Sequence, residues 1–113
     1  MAWLMGIITI KKNRDYRQVF TRGRYRSDRL LVLYRMANGT GGRRFGITVS
    51  RKLGGAVVRN RVRRRLKEIC RLNPEAFPSG YDYVIVARPP AAECDHRVLT
   101  DSLLQLVGNI KNE

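Results

Sequence analysis

Apolar residues recur along this chain with two periods, and the switches between them mark out the elements. Tyr16, Val19 and Phe20 fall on one face of a short helix. Asn13 is placed to cap it, Asp15 sits favourably in the first turn and Gly23 is a stop. Residues 30–36 (LLVLYRM) are aliphatic and aromatic, a strand preceded by a short pairing segment near 24–26. The run NGTGG at 38–42 is a turn. Residues 45–50 then alternate apolar with small or polar side chains, as a half-buried strand does. Gly54 and Gly55 break the chain before a helix over 56–72, whose Val58, Val62, Leu66 and Ile69 share one side. Residues 81–87 (YDYVIVA) form a second apolar strand, central in the sheet, and Pro89-Pro90 forces a loop. Asp95 caps a last helix with Leu99, Leu103, Leu106 and Ile110 as its buried stripe. The order helix, strands, helix, strand, helix predicts an α+β fold: a single compact domain in which helices sandwich against one mainly central sheet.

Charge changes the picture of the middle helix. Residues 59–67 hold five arginines and one lysine, yet the segment keeps an apolar face, so it is not a disordered basic tail. On a helical wheel Asn60, Arg64, Lys67 and Arg71 line up opposite that face, flanked by Arg61 and Arg63. One acid, Glu68, interrupts the row, whereas a solvated helix face would mix signs for pairing one turn apart. The whole chain carries 23 basic and 9 acidic residues in 113, a net +14, and 20 of the basic residues lie between Lys11 and Arg71. Such an excess destabilises a fold by self-repulsion unless a partner supplies phosphates. The dominance of arginine favours forked contacts to phosphate.

Several classes are disfavoured. The single histidine, His96, lies far in sequence from the basic region, and the carboxylates form no metal-holding cluster, so the chain lacks the paired acid and base of a protein nuclease. Cys70 and Cys94 fit neither a CxxC pair nor a zinc pattern, and Cys70 reads as a packed, reduced thiol. Residues 1–10 (MAWLMGIITI) are too few for a membrane span and lack the basic start and cleavage site of a secretory signal. They are expected to be an N-terminal arm leading into a short extended segment, with residues 11–113 the polyanion-binding domain and the protein cytoplasmic. DNA and membrane partners are not expected, for want of a helix-turn-helix pattern, zinc spacing or an apolar margin on the basic helix.

Three stretches resemble the protein subunit of bacterial ribonuclease P: KKNRDYRQVFTRG at 11–23, RFGITVSRKLGGAVVRNRVRRRLKEICR at 44–71, with the Arg-Asn-Arg signature at Arg59-Asn60-Arg61, and DYVIVARPPA at 82–91. The resemblance implies a subunit that binds a large catalytic RNA, the ribonuclease P RNA, the two together removing the 5′ leader of precursor tRNA. It implies that the RNA does the chemistry with bound Mg²⁺, and that the protein binds no cofactor of its own and supplies no catalytic residue. It also implies a left-handed βαβ crossover through the arginine helix, against the right-handed rule. An aromatic that is commonly phenylalanine in that family is Tyr16 here, which keeps the stacking face.

Two sets of site residues follow. Arg59, Asn60, Arg61, Arg64, Arg65 and Lys67 are expected to meet the catalytic RNA, Arg65 nearest the apolar border. Tyr16, Phe20, Tyr34, Arg51 and Lys52 are expected to hold the leader, with Arg88 a weaker candidate. From spacing alone Phe20 belongs in the core; the resemblance places it in a leader-binding cleft where bases stack on rings. A phosphate-binding loop at Gly54-Gly55 is not supported, since GxxxxGK[ST] is missing, and a tight turn is the better reading. The alternative function is a ribosomal or chaperone-like RNA-binding protein without a role in 5′ processing.

Overall fold

Strand alternation decides the architecture. In the computed structural model, described for residues 7–111, strands β1 (Arg24–Ser27), β2 (Leu31–Ala37), β3 (Arg44–Val49) and β4 (Tyr81–Ala87) form one sheet in the order β1-β2-β4-β3. β2 is antiparallel to both neighbours, while β3 and β4 run parallel with Phe45 opposite Tyr83 and Val49 opposite Ala87. Adjacent parallel strands need a crossover, and helix α2 (Ala56–Leu72) provides it. The apolar run of 81–87 is central as expected, with partners on both sides.

The two faces of the sheet are covered differently. Leu31, Leu33, Phe45, Tyr83 and Ile85 point to one side and are sealed by Val62, Leu66 and Ile69 of α2 and by Leu99, Leu103 and Ile110 of helix α3 (His96–Lys111). Phe45, Phe77 and Tyr83 interlock there with ring centroids 5.1–5.3 Å apart. On the opposite side helix α1 (Asn13–Arg22) buries only Val19, against Val84 and Ile10. Tyr34, Met36 and Val86 remain half-buried on that face. The helices therefore flank the sheet on both sides, and the short one leaves its side partly open.

Local signals mostly act as anticipated. Asp95 Oδ1 accepts the Val98 N–H at 2.9 Å, capping α3. Gly54 sits at φ 142°, a conformation closed to other residues, so the Gly54-Gly55 pair is a turn into α2. Asn13 is a correction: it is the first residue of α1, and Lys12 occupies the cap position without a side-chain hydrogen bond. Residues 7–10 also belong to the folded body. Ile10 N–H bonds Phe45 O at 2.9 Å, Phe45 N–H bonds Ile8 O at 2.8 Å, and Ile10 is buried; residues 1–6, the rest of the expected arm, lie outside the described residues.

Two polar anchors fix the parts that carry the site. Arg44 bridges Asp82 of β4, at 2.6 Å, and Asp15 of α1, at 3.2 Å, so a single guanidinium ties α1 to the sheet. Asp82 is 1% exposed, and Asn38 Nδ2 donates to it at 3.1 Å, so the buried carboxylate is fully engaged. Asp28 accepts the Leu30 and Leu31 N–H groups at 2.8 and 2.9 Å and the Ser102 hydroxyl, linking the β1–β2 turn to α3. Partial burial pushes the Asp28 carboxyl up, but these hydrogen bonds outweigh it and leave the group below the ordinary aspartate range.

Candidate nucleic-acid interface

The open face begins with a glycine. A Cβ on Gly46 of β3 would clash with the Tyr16 ring, 2.7 Å from its Cζ, so glycine lets that ring approach the strand closely. Burial raises the Tyr16 phenol above its ordinary pKa, opposed by a backbone hydrogen bond at Ile47 and by the charge of Arg63. Farther along α1, Phe20 meets Tyr34 edge-on with centroids 4.9 Å apart, and Tyr25 lies on the other side of Tyr34 at 5.5 Å. Phe20 is 40% exposed and Tyr25 57%, so this is a row of rings presented to solvent. The core position that spacing assigned to Phe20 goes instead to its neighbour Val19, which is fully buried.

Tyr16, Phe20 and Tyr34 are thus brought together as expected, and Tyr25 joins them. Its signal was present: a tyrosine between two arginines in a strand that pairs beside Tyr34. The cleft has a basic wall as well. Arg63 and Lys67 of α2 line a hollow with Tyr16, Ile47 and Thr9. Lys67, expected with the residues facing the catalytic RNA, borders the aromatic side, and Arg63 was not singled out for either set.

Helix α2 divides its charges around its axis. Asn60, Arg64 and Lys67 are exposed, while Arg59, Arg61, Arg63 and Arg65 are half-buried. Arg61 donates to Ala92 O at 3.2 Å and Arg65 to Cys94 O at 3.4 Å, so both lean towards the Pro89–Ala92 turn, away from Tyr16. Arg63 instead bonds Asn60 Oδ1 at 2.8 Å, which orients the amide. The Nε atoms of Arg59 and Arg61 are buried without a hydrogen-bond partner, so part of each donor fork is unsatisfied in the protein alone. Arg71 pairs with Glu68, the one local acid, and leaves the row.

Arg51 and Lys52 are exposed in a 3-10 turn, Arg51–Leu53, between β3 and α2. Lys52 lines a hollow with Arg29, Arg61 and Pro90, nearer the arginine helix than the sequence implied. Arg88 donates to Asp28 O at 2.8 Å and braces the β1–β2 turn. Burial pushes the Cys70 thiol up to about 12, so it is a packing group. Among the described residues no three His, Cys, Asp or Glu side chains gather where a metal ion can sit, and no helix is long and apolar enough to cross a membrane.

A basic helix beside an open row of rings suits RNA, and comparison with known proteins agrees. The model of the family Ribonuclease P matches residues 7–111. A ribonuclease P protein component from Pelotomaculum thermopropionicum is 46% identical over 98 residues, 87% of this chain and 88% of that one. Among solved structures, the RNase P protein of Staphylococcus aureus superposes with a TM-score of 0.85 at 31% identity, covering 91% and 94% of the two chains. That of Thermotoga maritima gives 0.81 at 30%, covering 88% and 94%. With these matches over nearly its full length, the chain belongs to the ribonuclease P protein family, whose members work with an RNA component that carries the catalysis in maturing tRNA 5′ ends.

Proposed function

We propose that this subunit divides its two RNA-facing surfaces between two RNAs. The open sheet face takes the single-stranded 5′ leader of precursor tRNA, and the outer side of α2 takes the ribonuclease P RNA. The observation that carries this reading is the solvent-facing row Phe20–Tyr34–Tyr25 continued by Tyr16, since unpaired bases stack on such rings for about 1–3 kcal/mol each. Arg63 and Lys67 at the cleft wall meet the leader's phosphates. Duplex RNA does not expose its base faces, so the row selects a strand over a stem.

On the other surface Asn60 and Arg64 are exposed, joined by the half-buried Arg59, Arg61 and Arg65, and their guanidinium forks donate to phosphate or 2′-hydroxyl partners. Arg51 and Lys52, exposed between β3 and α2, add phosphate contacts on the flank of α2 that Arg61 shares. Mg²⁺ belongs to the RNA's own site in the cytoplasmic particle. This chain holds substrate and RNA together and lowers the phosphate repulsion that magnesium otherwise screens.

Cleavage of a precursor tRNA by the RNA alone, by this chain alone and by both, over a series of magnesium concentrations, tests the proposal. The protein alone leaves the precursor intact, and its advantage over the RNA alone is largest at low magnesium. An advantage that is equal for leader-bearing and leader-less competitors defeats the assignment of the cleft.

A further inference from the structure

Five elements end around one hollow that neither surface above includes. Arg22 is the last residue of α1, Arg24 the first of β1, Ala37 the last of β2, Tyr81 the first of β4 and Lys111 the last of α3, and all of them line it with Arg35. Arg35 and Tyr81 share the side of the sheet that Leu33 and Tyr83 occupy, opposite the aromatic cleft. The residues that line it come from α1, three strands and α3, and none from α2. This basic cluster is therefore separate from the arginine helix.

Arg22, Arg35 and Lys111 bring three positive charges to the hollow, and no acidic side chain lines it among the described residues. Arg22 and Lys111 complement the carboxyl ends of two helices, but a helix end is equivalent to only about half a charge, so roughly two positive charges remain. Arg22, Arg35 and Lys111 have no carboxylate partner among the described residues. The Arg35 guanidinium lies 4.2 Å from the centre of the Tyr81 ring, which holds its fork in place at the floor of the hollow. Cations held this close repel one another, and a polyanion removes that penalty.

The hollow also continues the cleft. Arg22 lies two residues beyond Phe20 on α1, and Arg24 adjoins Tyr25, the outermost ring of the row. We infer that the Arg22–Arg35–Lys111 hollow is a third phosphate-binding site, which takes the leader's backbone upstream of the bases stacked on Phe20, Tyr34 and Tyr25. The assignment rests on the leader reading of the cleft and gives it a direction: the strand leaves past the end of α1 and turns around the end of the sheet. A short leader reaches the rings alone, and a long one reaches both.

The test is the affinity of the reconstituted particle for precursor tRNAs with leaders of about 4 and about 12 nucleotides, and for mature tRNA, across salt concentrations. The variants are Arg22→Ser with Lys111→Ser, both at exposed positions, and Phe20→Ala in parallel. The unsubstituted particle binds the long leader more tightly than the short one. The double variant loses that gain, roughly tenfold at low salt, and its log–log salt slope for the long leader flattens by about 1.4, while the short leader binds as before. Retention of the full gain overturns the third site. Equal loss for mature tRNA, or weaker capture of the RNA subunit alone, overturns its assignment to the leader. If no leader of any length improves on mature tRNA, and Phe20→Ala changes nothing, the cleft reading itself has failed and the third site with it.

Discussion

The two faces of the sheet are built from the same strands and have opposite fates. Leu33 and Tyr34 are neighbours in β2, yet Leu33 is sealed beneath two long helices while Tyr34 lies half-open beside a ten-residue one. The sealed side spends its apolar surface on stability and holds α2 rigid, so that charged side chains project from a fixed frame. The open side leaves apolar surface unspent, and that surface is available to bases. The difference shows how a small domain combines a stable core with a stacking platform: two long helices seal the centre of one face, and a short helix covers only part of the other.

The comparison is broken most severely from the sealed side. Leu66→Ala removes a fully buried side chain beneath α2 and is expected to cost about 2–5 kcal/mol, read as a lower midpoint in urea unfolding. Phe20→Ala acts on the open side, where a 40% exposed ring contributes little to the fold. Preference for precursor over mature tRNA is expected to fall by about 1–3 kcal/mol, with urea unfolding almost unchanged. Equal weakening for both tRNAs, together with a loss of stability, would return Phe20 to the core.

Asp28→Asn probes the joint between the β1–β2 turn and α3, at about 1–2 kcal/mol for charge-assisted hydrogen bonds on a partly exposed group. Its carboxyl is held below the ordinary range when folded. The stability it lends is therefore present at neutral pH and fades as pH falls through the folded value. Unfolding of the two proteins at neutral pH and near pH 3 should show the gap closing. Arg64→Ala has the smallest effect: the log–log salt slope for RNA-subunit binding flattens by roughly one, and leader preference is retained.

Much of the sealed side was legible because helices and strands that bury one face write their period into the chain. Val62, Leu66 and Ile69, and Leu99, Leu103 and Ile110, are all buried where spacing put them. The open side was legible only with the family resemblance. An apolar ring one helical turn from another has the same pattern whether a helix or a nucleotide covers it, so spacing alone put Phe20 in the core. Tyr25 was missed because its strand is four residues long and exposed throughout, with no buried alternation to mark it. The Arg44 bridge between Asp15 and Asp82 joins residues 29 and 38 positions apart, a pairing that local pattern cannot express. Likewise the split of α2 depends on carbonyls of the Pro89–Ala92 turn and its neighbour Cys94, which draw Arg61 and Arg65 to one flank.

Site-specific photo-crosslinking in the reconstituted particle tests the division of surfaces most directly, with the crosslinker at position 20 in one protein and at position 64 in another. The account predicts that position 20 labels the 5′ leader and position 64 labels the ribonuclease P RNA. Labelling of the ribonuclease P RNA from position 20, or of the leader from position 64, would contradict it.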